Sequence, residues 1–207
     1  MKKFALVVLL LTLGTVAGRA QESRQDVSVS GSVLIEPYVT SSTDVKVNSK
    51  RGLGALFSYR FMLTPRGAVE ANYTYSQNDI TYHAPNLPNG VKINTRTQET
   101  TAAYVFNFNY RKFNPFLEGG GGALFWTPIR NLATQTLDAK GQTTIVGLYG
   151  GGIAYEISPS FDIRAEYRGI VSKVPDFGLT SSTGGPNLQT NRYYNIYNPV
   201  IGVAYHF

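Results

Sequence analysis

The chain has no cysteine among its 207 residues, and that absence removes disulfide frameworks, thiolate metal sites, a cysteine nucleophile and a lipoprotein attachment point together. Histidine is nearly as scarce, with His83 and His206 the two present, and neither belongs to a His-Glu-x-x-His pair. There is no Gly-x-Ser-x-Gly elbow and no Gly-Lys-Ser/Thr phosphate loop. Charged residues make up only 15% of the chain and tryptophan occurs once. The one long apolar run, Phe4 to Leu13, falls short of the ~20 residues that a membrane-spanning helix needs. Beyond it no helical periodicity of useful length occurs, and no repeat marks a second domain.

That apolar run is the core of a targeting segment. Lys2 and Lys3 precede it, and Gly14 and then Gly18-Arg19-Ala20 follow, the layout of a secretory signal peptide over residues 1–20. Cleavage is expected after Ala20, with Ala17 the alternative because Arg19 lies so close to the cut. Removing Lys2, Lys3 and Arg19, with no acid among residues 1–20, takes the formal charge from +6 to +3. So small and scattered a charge does not argue for nucleic acid as a partner.

What the full chain does have is 43% hydrophobic residues with 14 tyrosines, 11 phenylalanines and 21 glycines, a β-rich composition with many rings. Its last stretch, Tyr193 to Phe207, sets Phe207, Tyr205, Val203, Ile201, Pro199 and Tyr197 on one face of a strand and His206, Ala204, Gly202 and Asn198 on the other. The same period of two recurs from Val27 onward. It predicts strands from Val27 to about Val39, then over Arg51 to Met62, Ala68 to Asn78, Thr95 to Tyr110, Pro115 to Trp126, Thr143 to Ile157, Phe161 to Ser172, and the terminal one. Long loops are predicted at 41–50, 79–94, 127–142 and 173–192. The second contains Pro85, Pro88 and the Asn89-Gly90 turn signal and so cannot be strand throughout. Tight turns are predicted at Thr64-Pro65-Arg66-Gly67, Arg111 to Asn114 and Ser158-Pro159-Ser160.

Eight strands with connections alternating long and short fit an all-β, antiparallel up-and-down barrel, either soluble or membrane-spanning. The charges discriminate. Asp162, Arg164, Glu166 and Arg168 share one face of the seventh strand, and Glu36, Arg60, Glu70, Glu118 and Glu156 take the equivalent face of five others. A soluble barrel would turn these to water and bury the rings. With the export signal and one-sided long loops, the inverted arrangement is favoured, since a charge on the lipid face costs ~2–4 kcal/mol at mid-depth.

At this point the chain resembles the small bacterial outer-membrane proteins of the A and X type. Signal peptide, eight strands, four long loops, three tight turns and the closing Tyr205-His206-Phe207 carry the likeness over the whole of residues 21–207. The resemblance implies an outer-membrane location, surrounding lipids and lipopolysaccharide, and Tyr205 with Phe207 as a signal for the barrel-assembly machinery. It also implies roles that range from adhesion and membrane integrity to narrow passage of small molecules.

An eight-stranded barrel is just wide enough to be filled by side chains. The acids and arginines on the inward face are therefore expected to form an ion-pair network that plugs the lumen, with a narrow pore as the alternative, because unpaired buried carboxylates are costly. Gly119 to Gly122 and Gly150 to Gly152 would lie beside each other if the fifth and sixth strands pair about a position sum near 270, marking sharp bending or close packing. The sharper reading of the same glycines is a thin wall that leaves lumen space or a flat patch for another subunit. Catalysis is not expected: His206 lies at the turn end, and His83 has only Ser76 and Asp79 near it in sequence. No metal or cofactor is expected. Tyr82, Leu87, Ile129 and Phe177, together with Pro85, Pro88, Leu132, Leu179 and Leu188, are apolar residues in polar loops, suited either to an extracellular ligand or to packing the loops together. The expected protein is a non-enzymatic monomer.

Overall fold

A period of two satisfies two different surroundings at once only if the backbone is extended and each face meets its own medium. The computed structural model describes residues 24–41, 44–84, 87–131, 139–180 and 187–207, with the backbone alone at 87–89 and 130–131. Residues 1–20, and Pro85 and Leu132, lie outside the described residues. Among the described residues ten strands form one antiparallel sheet: β1 (Gln25–Leu34), β2 (Val39–Thr40), β3 (Lys46–Ser49), β4 (Gly52–Met62), β5 (Gly67–Ala84), β6 (Leu87–Asn107), β7 (Phe113–Asn131), β8 (Gln142–Ser158), β9 (Phe161–Lys173) and β10 (Tyr193–His206). All but β2 and β3 make the barrel wall. β1 pairs with both β4 and β10, through Val29 opposite Phe57 and Val203, and the β5–β6 pairing closes the ring.

The faces sort as the charges require. Ile145 is 85% exposed, Leu53 78% and Ile201 65%, whereas Arg60, Glu70, Arg164 and Arg168 are all buried. This is an inverted protein, apolar outside and polar inside, with chain ends and tight turns at one mouth and long connections at the other.

One predicted loop is not a loop. From Asp79 to Tyr82 the ladder continues, Asp79 opposite Asn94 and Tyr82 opposite Val91, and resumes past a bulge at Ala84 opposite Leu87. Ile80, Tyr82, Val91 and Ile93 keep the alternation and are all buried, so over these residues the pattern outweighs the turn signals of the sequence. The predicted 41–50 loop likewise contains β3, which pairs with β2 just before that loop and adds to the same hairpin with Val47 opposite Tyr82.

Candidate functional site

The turn-end half of the lumen holds the charges. Arg60 Nη2 lies 2.6 Å from Glu70 Oε2, and Arg164 bridges Asp26 at 3.2 Å and Glu70 at 3.9 Å. Arg168, wholly buried, reaches Glu99 at 2.7 Å, Glu118 at 3.6 Å and Glu166 at 3.9 Å, and also donates to Thr74 and Thr101. The Phe116 ring sits between two of these cations, 4.8 Å from the Arg60 guanidinium and 5.9 Å from that of Arg164. Each arginine is thus shared among groups on several strands. A cavity of about 200 Å³ opens below them at the turn-end mouth, lined by Asp26, Arg60, Asn107, Asp162, Arg164 and His206. There His206 Nε2 lies 2.8 Å from Asp162 Oδ2.

Three expected members stand apart from the arginine cluster, Asp162 being the one paired with His206. Glu36 is buried at the loop end, where it accepts a hydrogen bond of 2.8 Å from Asn78, with no arginine in ion-pair contact. Glu156 is half-buried at the turn end, opposite Asp162 in the ladder, and forms no ion pair among the described residues. Conversely, Asp26 and Glu99 belong to the network and the sequence reading missed them. Both were legible: Asp26 continues the polar series Ser28, Ser30, and Glu99 has the parity of Asn107.

The loop-end half is filled differently. Leu34, Trp126, Leu148, Ile170 and Ile196 from the wall meet Phe177, Leu179 and Leu188 from the 173–192 connection in one buried apolar cluster. Tyr82 and Phe177, for which the sequence allowed either a ligand or packing of the loops, are therefore part of the core. Their rings meet edge-on at 6.2 Å, and the Tyr82 hydroxyl donates to the Pro175 carbonyl at 2.7 Å. Tyr82 lies beyond the lipid-facing rings, and burial pushes its phenol well above the ordinary tyrosine range. Replacing Tyr82 with Phe leaves that carbonyl unpaired. The expected result is faster proteolysis within 173–192, from a loss of about 1–3 kcal/mol, with the urea midpoint of the wall unchanged. Ile129 is 52% exposed, whereas the side chains of Leu87 and Pro88 lie outside those described.

The outer surface is banded. At the turn end Phe106 and Phe108, Phe113 and Tyr155, and Phe161, Tyr205 and Phe207 form contacting ring groups, with Tyr205 40% and Phe207 39% exposed. At the loop end the tyrosine hydroxyls are met by amides, Gln77 donating to Tyr75, Gln98 to Tyr73 and Asn195 to Tyr149, each at 2.6 Å. The Tyr149 ring lies over Gly169, filling the space where that residue lacks a side chain. Two such belts bracket a lipid-facing band. Beyond the second belt Asp79 is held below the usual carboxylate range by hydrogen bonds from Asn94 and Lys92, the latter also an ion pair of 2.8 Å.

The glycine clusters are offset rather than side by side. Gly121 pairs with Gly147, so the position sum is 268, and Gly150 to Gly152 face Phe116 to Glu118 instead. A side chain at Gly152 would strike Phe116 and the Glu166 Cβ, both at 2.7 Å, so this glycine makes room for the network. Gly119 and Gly147 have open space on the outer face.

Nothing assembles a catalytic set from the residues near His83. Ser76 is buried on the inner face, Asp79 is on the outer face in its pair with Lys92, and His83 is exposed four residues further along β5. Among the described residues no group of three or more His, Asp and Glu side chains could hold a metal ion.

Solved structures share this architecture. Neisserial surface protein A is 17% identical, with 89% of this chain and 98% of that one covered and a TM-score of 0.58. The outer membrane protein OprG of Pseudomonas aeruginosa is 11% identical, with coverages of 88% and 95% and a TM-score of 0.60. Ail of Yersinia pestis, solved in complex with the heparin analogue sucrose octasulfate, is 16% identical, with coverages of 88% and 96% and a TM-score of 0.51. At these identities the likeness is one of fold. No curated protein matches the chain. The family profile described as outer membrane protein beta-barrel domain, however, matches residues 6–207. The match spans the closed barrel of eight wall strands with its apolar outer surface between two ring belts, and the chain belongs to this family of bacterial outer-membrane β-barrel proteins.

Proposed function

We propose that this outer-membrane barrel is closed to solutes and acts from its extracellular surface, as a non-enzymatic, monomeric scaffold whose loop end carries the binding. The observation that supports this reading is the double filling of the lumen. Arg168 and its carboxylates occupy the turn-end half, and the cluster with Trp126, Phe177 and Leu188 occupies the loop-end half, all within 2% of full burial at Arg168, Trp126, Phe177 and Leu188. Water and ions would have to displace both layers to cross. On this reading residues 1–20 direct export, and Tyr205 and Phe207, on the outer face of the terminal strand, are what the assembly machinery recognises.

Single-channel recording in a planar bilayer tests it. The wild type is expected to be silent, and the folded fraction of an Arg164→Ala, Arg168→Ala variant to conduct. Steady wild-type conductance would overturn the closed reading and point to a narrow cation path, since Asp26, Glu70, Glu99, Glu118 and Glu166 outnumber the three arginines they face.

A further inference from the structure

We propose that Glu36 is a proton-operated latch for the loop-end cap of the barrel: the segment around Phe177 seats over the lumen while the Glu36 carboxyl holds its proton, and lifts when that proton leaves to water. The arginine layer beneath keeps the lumen shut in either position, so the latch stands or falls separately from the closed bore.

Glu36 lies two residues past the end of β1, at the loop end, and only 8% of it is exposed. Its surroundings offer hydrogen bonds but no counter-charge. Asn78 of β5 donates to it at 2.8 Å, and Asn78 in turn donates to Ser49 at 3.0 Å and accepts from Thr97 at 3.3 Å. The ionisable groups that face Glu36 are two phenols, Tyr82 from β5 and Tyr194 from β10, with Asp176 of the cap on the far side of Tyr82. Lys46 and Lys50, the cations nearest in β3 and just after it, are exposed, as is His83 on the outward side of β5. Among the described residues no lysine or arginine makes an ion pair with Glu36. Burial therefore pushes its carboxyl up from the ordinary 4.5 to about 7, against hydrogen bonds from Ser49 and Asn78 that favour the charged form.

The cap completes that burial. Leu34, Tyr82 and Tyr194 share one apolar cluster with Val174, Phe177, Leu179 and Leu188. Few polar contacts hold the segment down: the Gln142 side-chain oxygen accepts from the Asp176 and Phe177 amides at 2.9 and 3.1 Å, and the Tyr82 hydroxyl donates to Pro175. Phe177 itself has a φ of 53°, in the left-handed region that bulky side chains rarely adopt. Seating the cap thus stores backbone strain, and lifting it releases that strain. An ionised carboxylate with no cation beside it needs water, and the nearest water is above the cap. A carboxyl raised in the closed state supports closure fully below pH 4.5 and loses that support as pH climbs to about 7.

The test is chymotryptic cleavage after Phe177 in the full-length protein in neutral detergent. Its rate at each pH is divided by that of the same bond in a free peptide of residues 173–180, which cancels the pH dependence of the protease. Where opening and closing outpace cleavage, the ratio follows the lifted fraction. In the wild type it is expected to rise about 30-fold from pH 5.5 to 7, at about tenfold per pH unit, and to level off above. Glu36→Gln, uncharged at every pH, should keep the low-pH ratio throughout, whereas His83→Gln should rise as the wild type does. A flat wild-type ratio, or a rise that persists in Glu36→Gln, would overturn the latch. Should Glu36→Gln not fold, Asn78→Leu removes a hydrogen bond that favours the charged form, so its rise should continue to higher pH. Faster cleavage of Asn78→Leu by one constant factor at every pH would mean a loosened cap and no latch. The bore is judged by conductance and the latch by this ratio, so either can fail while the other stands.

Discussion

Replacement of Arg168 by methionine is expected to lower the stability of the folded barrel by about 3–5 kcal/mol, the range for removing one partner from a buried ion pair. Arg168 is fully buried and is the shared counter-charge of Glu99, Glu118 and Glu166, on β6, β7 and β9. Methionine fills a similar volume but leaves three carboxylates facing one another across a lumen without solvent access, together with Thr74 and Thr101, which lose their donor. Arg168→Lys keeps the charge but not the fork, so one acid or two should be left unserved and the loss should be intermediate. Urea titration of the micelle-embedded protein measures both, read from the fluorescence of Trp126, the single tryptophan. A methionine variant with a wild-type midpoint would show that the carboxylates are stabilised without Arg168, and the network would lose its structural role.

The second large effect separates glycines that differ by one position. Gly120→Ala is expected to yield little folded barrel, whereas Gly119→Ala is expected to fold as wild type. The Cβ added at Gly120 would meet the Ala102 carbonyl oxygen and lie 2.6 Å from the Ala103 Cα, and neither is the end of a side chain that can turn aside. The strands β6 and β7 approach so closely there that relief requires the wall itself to shift, at a cost of 1–3 kcal/mol or more by the usual range for overpacking. At Gly119 nothing lies within 4 Å of the new methyl, which would enter lipid. The folded fraction, read from mobility of unheated samples on a denaturing gel, distinguishes the two. Equal folding of both variants would mean that the wall yields at Gly120, and would remove close approach as the reason for glycine there.

Parity along the chain is a local property, and most of the architecture is local in this sense. Alternation in each strand determined from the sequence alone which side chains meet lipid and which meet the lumen, and charges such as Arg164 and Arg168 on one face determined that the polar set turns inward. In the 79–94 segment two local signals compete. There two prolines and an Asn-Gly pair argued for loop while Ile80, Tyr82, Val91 and Ile93 kept the strand period, and the alternation prevailed because burying four apolar side chains outweighs turn preferences.

Height inside the barrel is not local. Whether Arg168 meets Glu99, 69 positions away, or Arg164 meets Asp26, 138 away, depends on strand tilt and on the stagger at which the sheet closes, which no single strand encodes. The same closure left Glu36 with Asn78 in place of an arginine. It also brought Tyr82, Phe177 and Leu188 over the apolar upper wall, so residues whose loop positions allowed either exposure or packing became core. The sequence by itself determined the medium that each residue of the barrel wall faces. Only the tertiary structure decided which residues meet, because partners on opposite walls are chosen by the geometry of the closed ring.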